Sequence, residues 1–291
     1  MIGVQVRPAS VRVVPTITAP VLLATSHGTS DPAGQRAVVA LVDAVATAAG
    51  HLTVRGGYVD VQSPDVPTCL SDIAAASAAS AAPATPALPP GGAGRSVADP
   101  VRPVVIVPLL LSAGYHVRVD LAEAAASASQ PVRVTGALGP DLRLARVLAA
   151  RLRDIDLQPN DRVVLAAAGS TDANAVADCL TVGDQLASVL GRAVTVGFIS
   201  AAEPRLADAV LAARTGAPGR VVVATYLLAP GYFAGLAASC GADAVSAPLL
   251  ADGEAPPREL VDVVIDLYSS VARLELALAG LPWSFSRGSI D

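Results

Sequence analysis

Apolar residues in this chain come as short solid runs set apart by turns rich in glycine, proline and small polar residues. The runs at 21–25, 104–111, 162–167 and 221–228 contain almost no polar position. That is the pattern of strands buried on both faces of a parallel sheet. Weaker runs at 52–60, 132–135 and 193–199 read as further strands. Helices fall between them. Ser30 or Asp31 serves as N-cap for a helix with Pro32 in its first turn and Gly50 as its stop. Pro64 and Asp65 open a second helix to about residue 79, and a third runs over 116–129. The segment 141–157 carries Leu144, Val147, Leu148, Leu152 and Ile155 at helical spacing. Helices also follow the turn 169–172, Pro204 and Pro230-Gly231, and a last one covers 256–279. Alternation of strand and helix implies parallel sheets with right-handed crossovers.

The pattern repeats. LLATSHGTSD aligns with VVLAAAGSTD, GGYVDVQSP with VGFISAAEP, and LLLSAGYHV with YLLAPGYFA. The offsets are 141 (His27 to Ala168), 140 (Asp60 to Ser200) and 117 (His116 to Phe233). The first half therefore holds roughly 23 extra residues between its second and third strands, where AAPATPALPPGGAGRSVADP stands. Proline at that density forbids helix and central strand, so 80–103 reads as a surface insertion. The expected organisation is α/β: two similar domains, each a parallel sheet flanked by helices, related by internal duplication. Residues 1–19 read as a loose extension, 20–140 as the first domain, 141–158 as a linking helix, 159–280 as the second domain and 281–291 as a tail.

The repeat also isolates candidate chemistry. Glycines, prolines and a tyrosine recur in both halves, but the polar residues at the strand ends do not. His27, Asp60 and His116 align with Ala168, Ser200 and Phe233. One half thus keeps three potential metal ligands at the carboxyl ends of its strands, the edge where open α/β sheets bind ligands. Tyr115 recurs as Tyr232, which points to packing. His51, after Gly50, reads as a loop residue.

Composition narrows the setting. Hydrophobic residues make up 53% of the 291 but aromatics only 3%, so the core is aliphatic. A net charge of −5 gives no footprint for nucleic acid. Mean hydropathy of +0.54 comes from scattered Ala and Val, with no uninterrupted membrane-length run. Cys69, Cys179 and Cys240 are far apart and form no CxxC pair, which fits a reducing cytoplasm. The first twenty residues lack the apolar core of a secretion signal.

Strand–Ser26-His27-Gly28, the strand end Tyr58-Val59-Asp60 and LSAGYHVRVD at 111–120 resemble the class II tetrapyrrole chelatases, the sirohydrochlorin cobalto- and ferrochelatases. The likeness covers both halves outside the insertion and matches the family's duplicated form. It implies that His27 and His116 hold an incoming divalent metal, iron or cobalt, with Asp60 as third group; Fe²⁺ is slightly preferred over Co²⁺ because no other cobalamin-pathway feature is visible in the chain. The family's usual acid there is glutamate, and the shorter Asp60 suits contact through water. The metal is substrate; no permanent cofactor and no iron–sulfur cluster is expected. The other substrate is a carboxylate-rich tetrapyrrole. Ser26, Gly28 and Thr29 would bind it beside free N–H groups at the following helix start. Ser112, Ala113 and Gly114 would let a flat ring approach the backbone, Tyr115 joins them as a substrate-binding residue, and Arg118 would pair with a carboxylate or remain a surface charge. No nucleic-acid or membrane partner is expected, and with both halves in one chain a monomer suffices. Two other classes stay open: a non-catalytic metal or tetrapyrrole carrier, and histidine-dependent phosphoryl transfer, whose usual preceding arginine is replaced by Ser26.

Overall fold

A computed structural model describes residues 19–80, 102–112, 114–215 and 219–278. The expected N-terminal extension, most of the insertion, Ala113 and the tail lie outside the described residues. The first half comprises β1 (Val21–Ser26), α1 (Pro32–Ala49), β2 (Val54–Tyr58), α2 (Val66–Ser80), β3 (Val104–Pro108), α3 (Tyr115–Ser127) and β4 (Val132–Val134). Then come α4 (Leu142–Asp154) and the second half: β5 (Arg162–Ala167), α5 (Ala173–Leu190), β6 (Val194–Phe198), α6 (Leu206–Thr215), β7 (Val221–Tyr226), α7 (Tyr232–Ala238), β8 (Ala244–Val245) and α8 (Arg258–Leu278).

Each half folds its strands into one four-stranded parallel sheet, ordered β2-β1-β3-β4 and β6-β5-β7-β8. The duplication holds in the ladder register. Leu22 pairs with Val54 and Val105, and Val163, its counterpart, pairs with Val194 and Val222. The two-residue β8 was not foreseen, since a run that short leaves no periodicity to read.

Two apolar runs overshoot their strands. The 104–111 run leaves the ladder at Pro108, after which Leu109 donates to the Thr25 carbonyl and Leu110 accepts from the Leu138 N–H. Leu109 is buried and Leu111 half-buried in the core between the halves, so their hydrophobicity serves packing beyond the strand. The 221–228 run ends its strand at Tyr226 in the same way.

Three cores result. Leu22, Ala24, Val105 and Val107 line one face of the first sheet, and Val163, Leu165, Val222 and Ala224 one face of the second. Both faces bury against α1, α4, α5 and α8 in a single shared cluster. The alternate residues Val21, Leu23, Val104 and Ile106 face outward onto α2 and α3. Val164, Ala166, Val221 and Val223 do the same toward α6 and α7.

The helix expected to link the halves is part of the shared core. α4 follows the first sheet but packs on α5 and β7 of the second half. α8 follows the second sheet but packs on α1 and β3 of the first, and its Tyr268 hydroxyl donates to the Pro20 carbonyl at 2.7 Å. Asp141 caps α4 by accepting from the Arg143 N–H, and Arg151, nearly buried, donates to Glu254 and to the Leu249 carbonyl.

Candidate metal and macrocycle site

The β1–α1 and β2–α2 loops are joined by backbone. The Val59 N–H donates to the Ser26 carbonyl and the Asp60 N–H to the His27 carbonyl, both at 2.9 Å. Gly28 makes this approach possible. Its φ is +97°, and a Cβ there would lie 2.0 Å from the Asp60 carbonyl oxygen. The second half builds the same crossing, with Ser200 donating to Ala168 at 2.9 Å and Gly169 at φ +91°. The crossing is therefore part of the scaffold. What it carries differs: exposed His27 and exposed Asp60 in one half, alanine and serine in the other. One Asp60 carboxylate oxygen accepts from the Val61 N–H at 2.7 Å, and Val61 itself sits at φ +65°, a costly conformation for a β-branched residue. Asp60 does not cap α2; Asp65 does, accepting from the Thr68 N–H.

β3 lies on the other side of β1, with Thr25 opposite Pro108. His116 stands in the first turn of α3, which begins after that strand's carboxyl end. The side chains of Tyr115, His116, Val117 and Arg118 lie outside the described residues. His51 is exposed just after α1. Among the described residues no group of three His, Cys, Asp or Glu side chains is gathered as a metal cage. His27 and Asp60 are brought together through their backbones on adjacent loops.

Several expected substrate contacts take other roles. Ser26 is buried at 4% exposure, because it ends β1 on the face turned to the shared core. The amides at the start of α1 are already used. Asp31 is the N-cap, and its Oδ1 accepts from Ala33 and Gly34 while its carbonyl accepts from Gln35. Pro32 has no N–H to offer. The expected carboxylate pocket at this helix start is therefore filled by the chain's own aspartate. Thr29 is equally committed: its N–H donates to Gln62, its carbonyl accepts from the Gln35 amide, and its Oγ1 accepts from the Asp31 N–H. Ser112 is half-buried beside the buried Cys179 thiol of α5, which burial pushes up to about 11. Around Gly114 a Cβ would meet no described atom within 4 Å.

Gln35 and Gln62 were not singled out from sequence. The repeat holds the signal, since they align with Val176 and Ala202. They grip both backbone polar groups of Thr29, two residues beyond His27. A further asymmetry lies on β1, where Thr25 and Ser26 stand against Ala166 and Ala167. Both hydroxyls are buried without a hydrogen-bond partner among the described residues, although such a group normally finds one.

The two halves meet at their strand ends. The buried Tyr226 hydroxyl donates to the Leu111 carbonyl at 2.9 Å, tying the end of β7 to that of β3. A Cβ on Gly34, in the first turn of α1, would lie 2.2 Å from the Pro230 carbonyl oxygen, and one on Gly231 would lie 3.2 Å from Thr29 Oγ1. The β7–α7 loop thus rests on the loop that carries His27. Tyr232, the counterpart of Tyr115, is 78% exposed there.

A family profile for CbiX matches residues 21–155 and 162–235, covering most of both halves. The chain belongs to the CbiX family. The class II chelatase resemblance of the motifs is borne out in its duplicated form. Solved structures agree in fold. SirB from Bacillus subtilis with Fe³⁺ superposes with a TM-score of 0.67 at 17% identity, over 88% of this chain and 97% of that one. The sirohydrochlorin chelatase SirB of Bacillus subtilis subspecies spizizenii in complex with cobalt gives 0.63 at 16% identity, over 88% and 96%. CbiX, described as the terminal enzyme for siroheme biosynthesis in denitrifying bacteria, gives 0.53 at 21% identity, over 84% and 98%. No curated protein matches the sequence. Among the described residues no helix is long and apolar enough to cross a membrane. Within the CbiX fold, only the first half of this chain carries the histidines at the two strand-end positions.

Proposed function

We propose that the chain is a sirohydrochlorin chelatase that inserts Fe²⁺ into the metal-free macrocycle, with Co²⁺ as the alternative ion. The observation that carries the reading is the Asp60–His27 backbone bond. It joins the loops that bear a carboxylate and an imidazole on the half that also bears His116, while the matching bond of the second half joins serine and alanine.

Insertion forms metal–nitrogen bonds to the pyrroles and releases two pyrrole protons. His27 and His116 as neutral imidazoles suit first-row divalent ions and leave the coordination sphere incomplete, so the metal can depart. An imidazole that gives up the metal regains a lone pair able to take a proton, and two histidines match two protons. Asp60, one oxygen of which is held by its own turn, offers the other to a metal-bound water or to a proton. The two protons pass on to solvent at this exposed rim.

The test is anaerobic metal insertion into sirohydrochlorin followed by absorbance, with Fe²⁺ and Co²⁺ in parallel arms. The wild type is expected to exceed the uncatalysed rate with at least one ion. His27→Ala and His116→Ala are each expected to lose about 100-fold or more. A wild type no faster than blank with either ion, yet binding metal and macrocycle stoichiometrically, would make the chain a carrier.

A further inference from the structure

The second half lacks the ligand residues but has the helix equivalent to the one that begins with Tyr115 and His116. That helix, α7, presents Tyr232, Phe233 and Leu236 to solvent at 78%, 39% and 40% exposure. The exposure is unusual here, because the chain is only 3% aromatic and Tyr226, Tyr268 and Phe198 are buried. The two rings meet edge to face, with centroids 5.8 Å apart. Tyr232 and Leu236 are one turn apart, with Phe233 beside them, so the three form one apolar patch. Ala237, one turn beyond Phe233, is buried and anchors the helix in the core.

Position gives the patch its meaning. The loop leading into it rests on the His27 loop through Gly231 at Thr29 and Pro230 at Gly34. The Tyr226–Leu111 bond holds the end of β7 against the end of β3, after which His116 follows. The aromatic patch therefore stands on the same rim as both histidines, contributed from the other half of the molecule. A strip this apolar in water costs free energy unless something apolar covers it.

We infer that Tyr232 and Phe233 are positioning residues for the tetrapyrrole: their rings, with Leu236, seat one face of the macrocycle and leave its other face open to the histidine-bearing half. This rests on the chelatase reading above. It also gives a role to Phe233, which stands in the second half where His116 stands in the first. One copy delivers metal from one side, and the other supplies an apolar shelf for the ring.

The experiment compares wild type with Tyr232→Ala, Phe233→Ala and the double variant. Binding of metal-free sirohydrochlorin is titrated by absorbance, and Co²⁺ insertion is measured with macrocycle and metal varied separately. The double variant is expected to bind the macrocycle about tenfold or more weakly and to raise its KM to match. The KM for metal and the melting temperature should stay at wild-type values, and Phe233→Trp should restore binding. Unchanged macrocycle affinity in the double variant would overturn the inference. Wild type that binds the macrocycle but inserts no metal would remove the chelatase reading and leave the shelf standing, whereas wild type that binds no macrocycle would overturn both.

Discussion

Asp60 donates its backbone N–H to the carbonyl of His27 at 2.9 Å, so the acid and the imidazole hang from two loops locked together by main chain. Side-chain substitutions at either residue leave that lock intact. Loss of insertion in His27→Ala or Asp60→Ala should therefore come without a change in fold, which circular dichroism and thermal melting check directly.

Gly28→Ala attacks the lock itself. The new Cβ would collide with the Asp60 carbonyl at a backbone φ of +97°. We expect a loss of about 1–3 kcal/mol in urea unfolding. Gly169→Ala meets the same obstacle in the second half and should destabilise comparably. Of the two, Gly28→Ala should cost far more activity per unit of stability lost. Equal activity losses would place the site on the wrong half.

Gln62→Ala frees the Thr29 N–H and loosens the His27 loop without touching the core. Insertion should fall about tenfold, with stability changed by no more than about 1 kcal/mol. Amide exchange should quicken at Thr29 ahead of the strands. Full retention of both activity and protection would show that Gln62 is incidental.

Thr25→Val removes a buried hydroxyl that has no partner among the described residues while keeping the volume. Stability should rise by about 1 kcal/mol, seen as a melting shift of about 2–4 °C. An unchanged or lowered melting point would mean that an ordered water satisfies the group.

Asp161 anchors the start of β5. Hydrogen bonds from Arg220 hold its carboxyl below the ordinary value, aided by the Gln158 N–H. A pKa lowered in the folded state means that the charged form stabilises. Its contribution is complete above the unfolded value near about 4 and disappears as pH falls through the folded value. The stability gap between wild type and Asp161→Asn should hold steady from about pH 8 to pH 5 and close on further acidification. A gap that widened in acid would contradict the assignment.

Seven of the eight strands were legible because aliphatic runs bounded by Gly and Pro leave little choice of element, whereas their order in each sheet came from the structure. The halves could be aligned because register-fixing glycines such as Gly28 and Gly169 recur. Other features were hidden for physical reasons. Leu109 and Leu111 look like strand because burial between halves and burial in a sheet demand the same side chains. Asp31 was readable as a cap, but not that its own carboxylate would use up the amides expected for substrate. The exposure of Tyr232 could not be read from its recurrence, because a repeated residue can be kept for the fold in one copy and for a ligand in the other. Gln35 and Gln62 act on a backbone far away in sequence, and only comparison with Val176 and Ala202 marks them.

The helices α4 and α8 each leave the sheet they follow and complete the opposite half. In effect the molecule is a domain-swapped pair written as one polypeptide. A cut between residues 155 and 162 would give two fragments with raw apolar faces rather than two small proteins. The copy without ligands is therefore not free to disappear, since it supplies the missing helix of the copy that has them. With its histidine position released but its scaffold still required, that copy could be reshaped without breaking the fold.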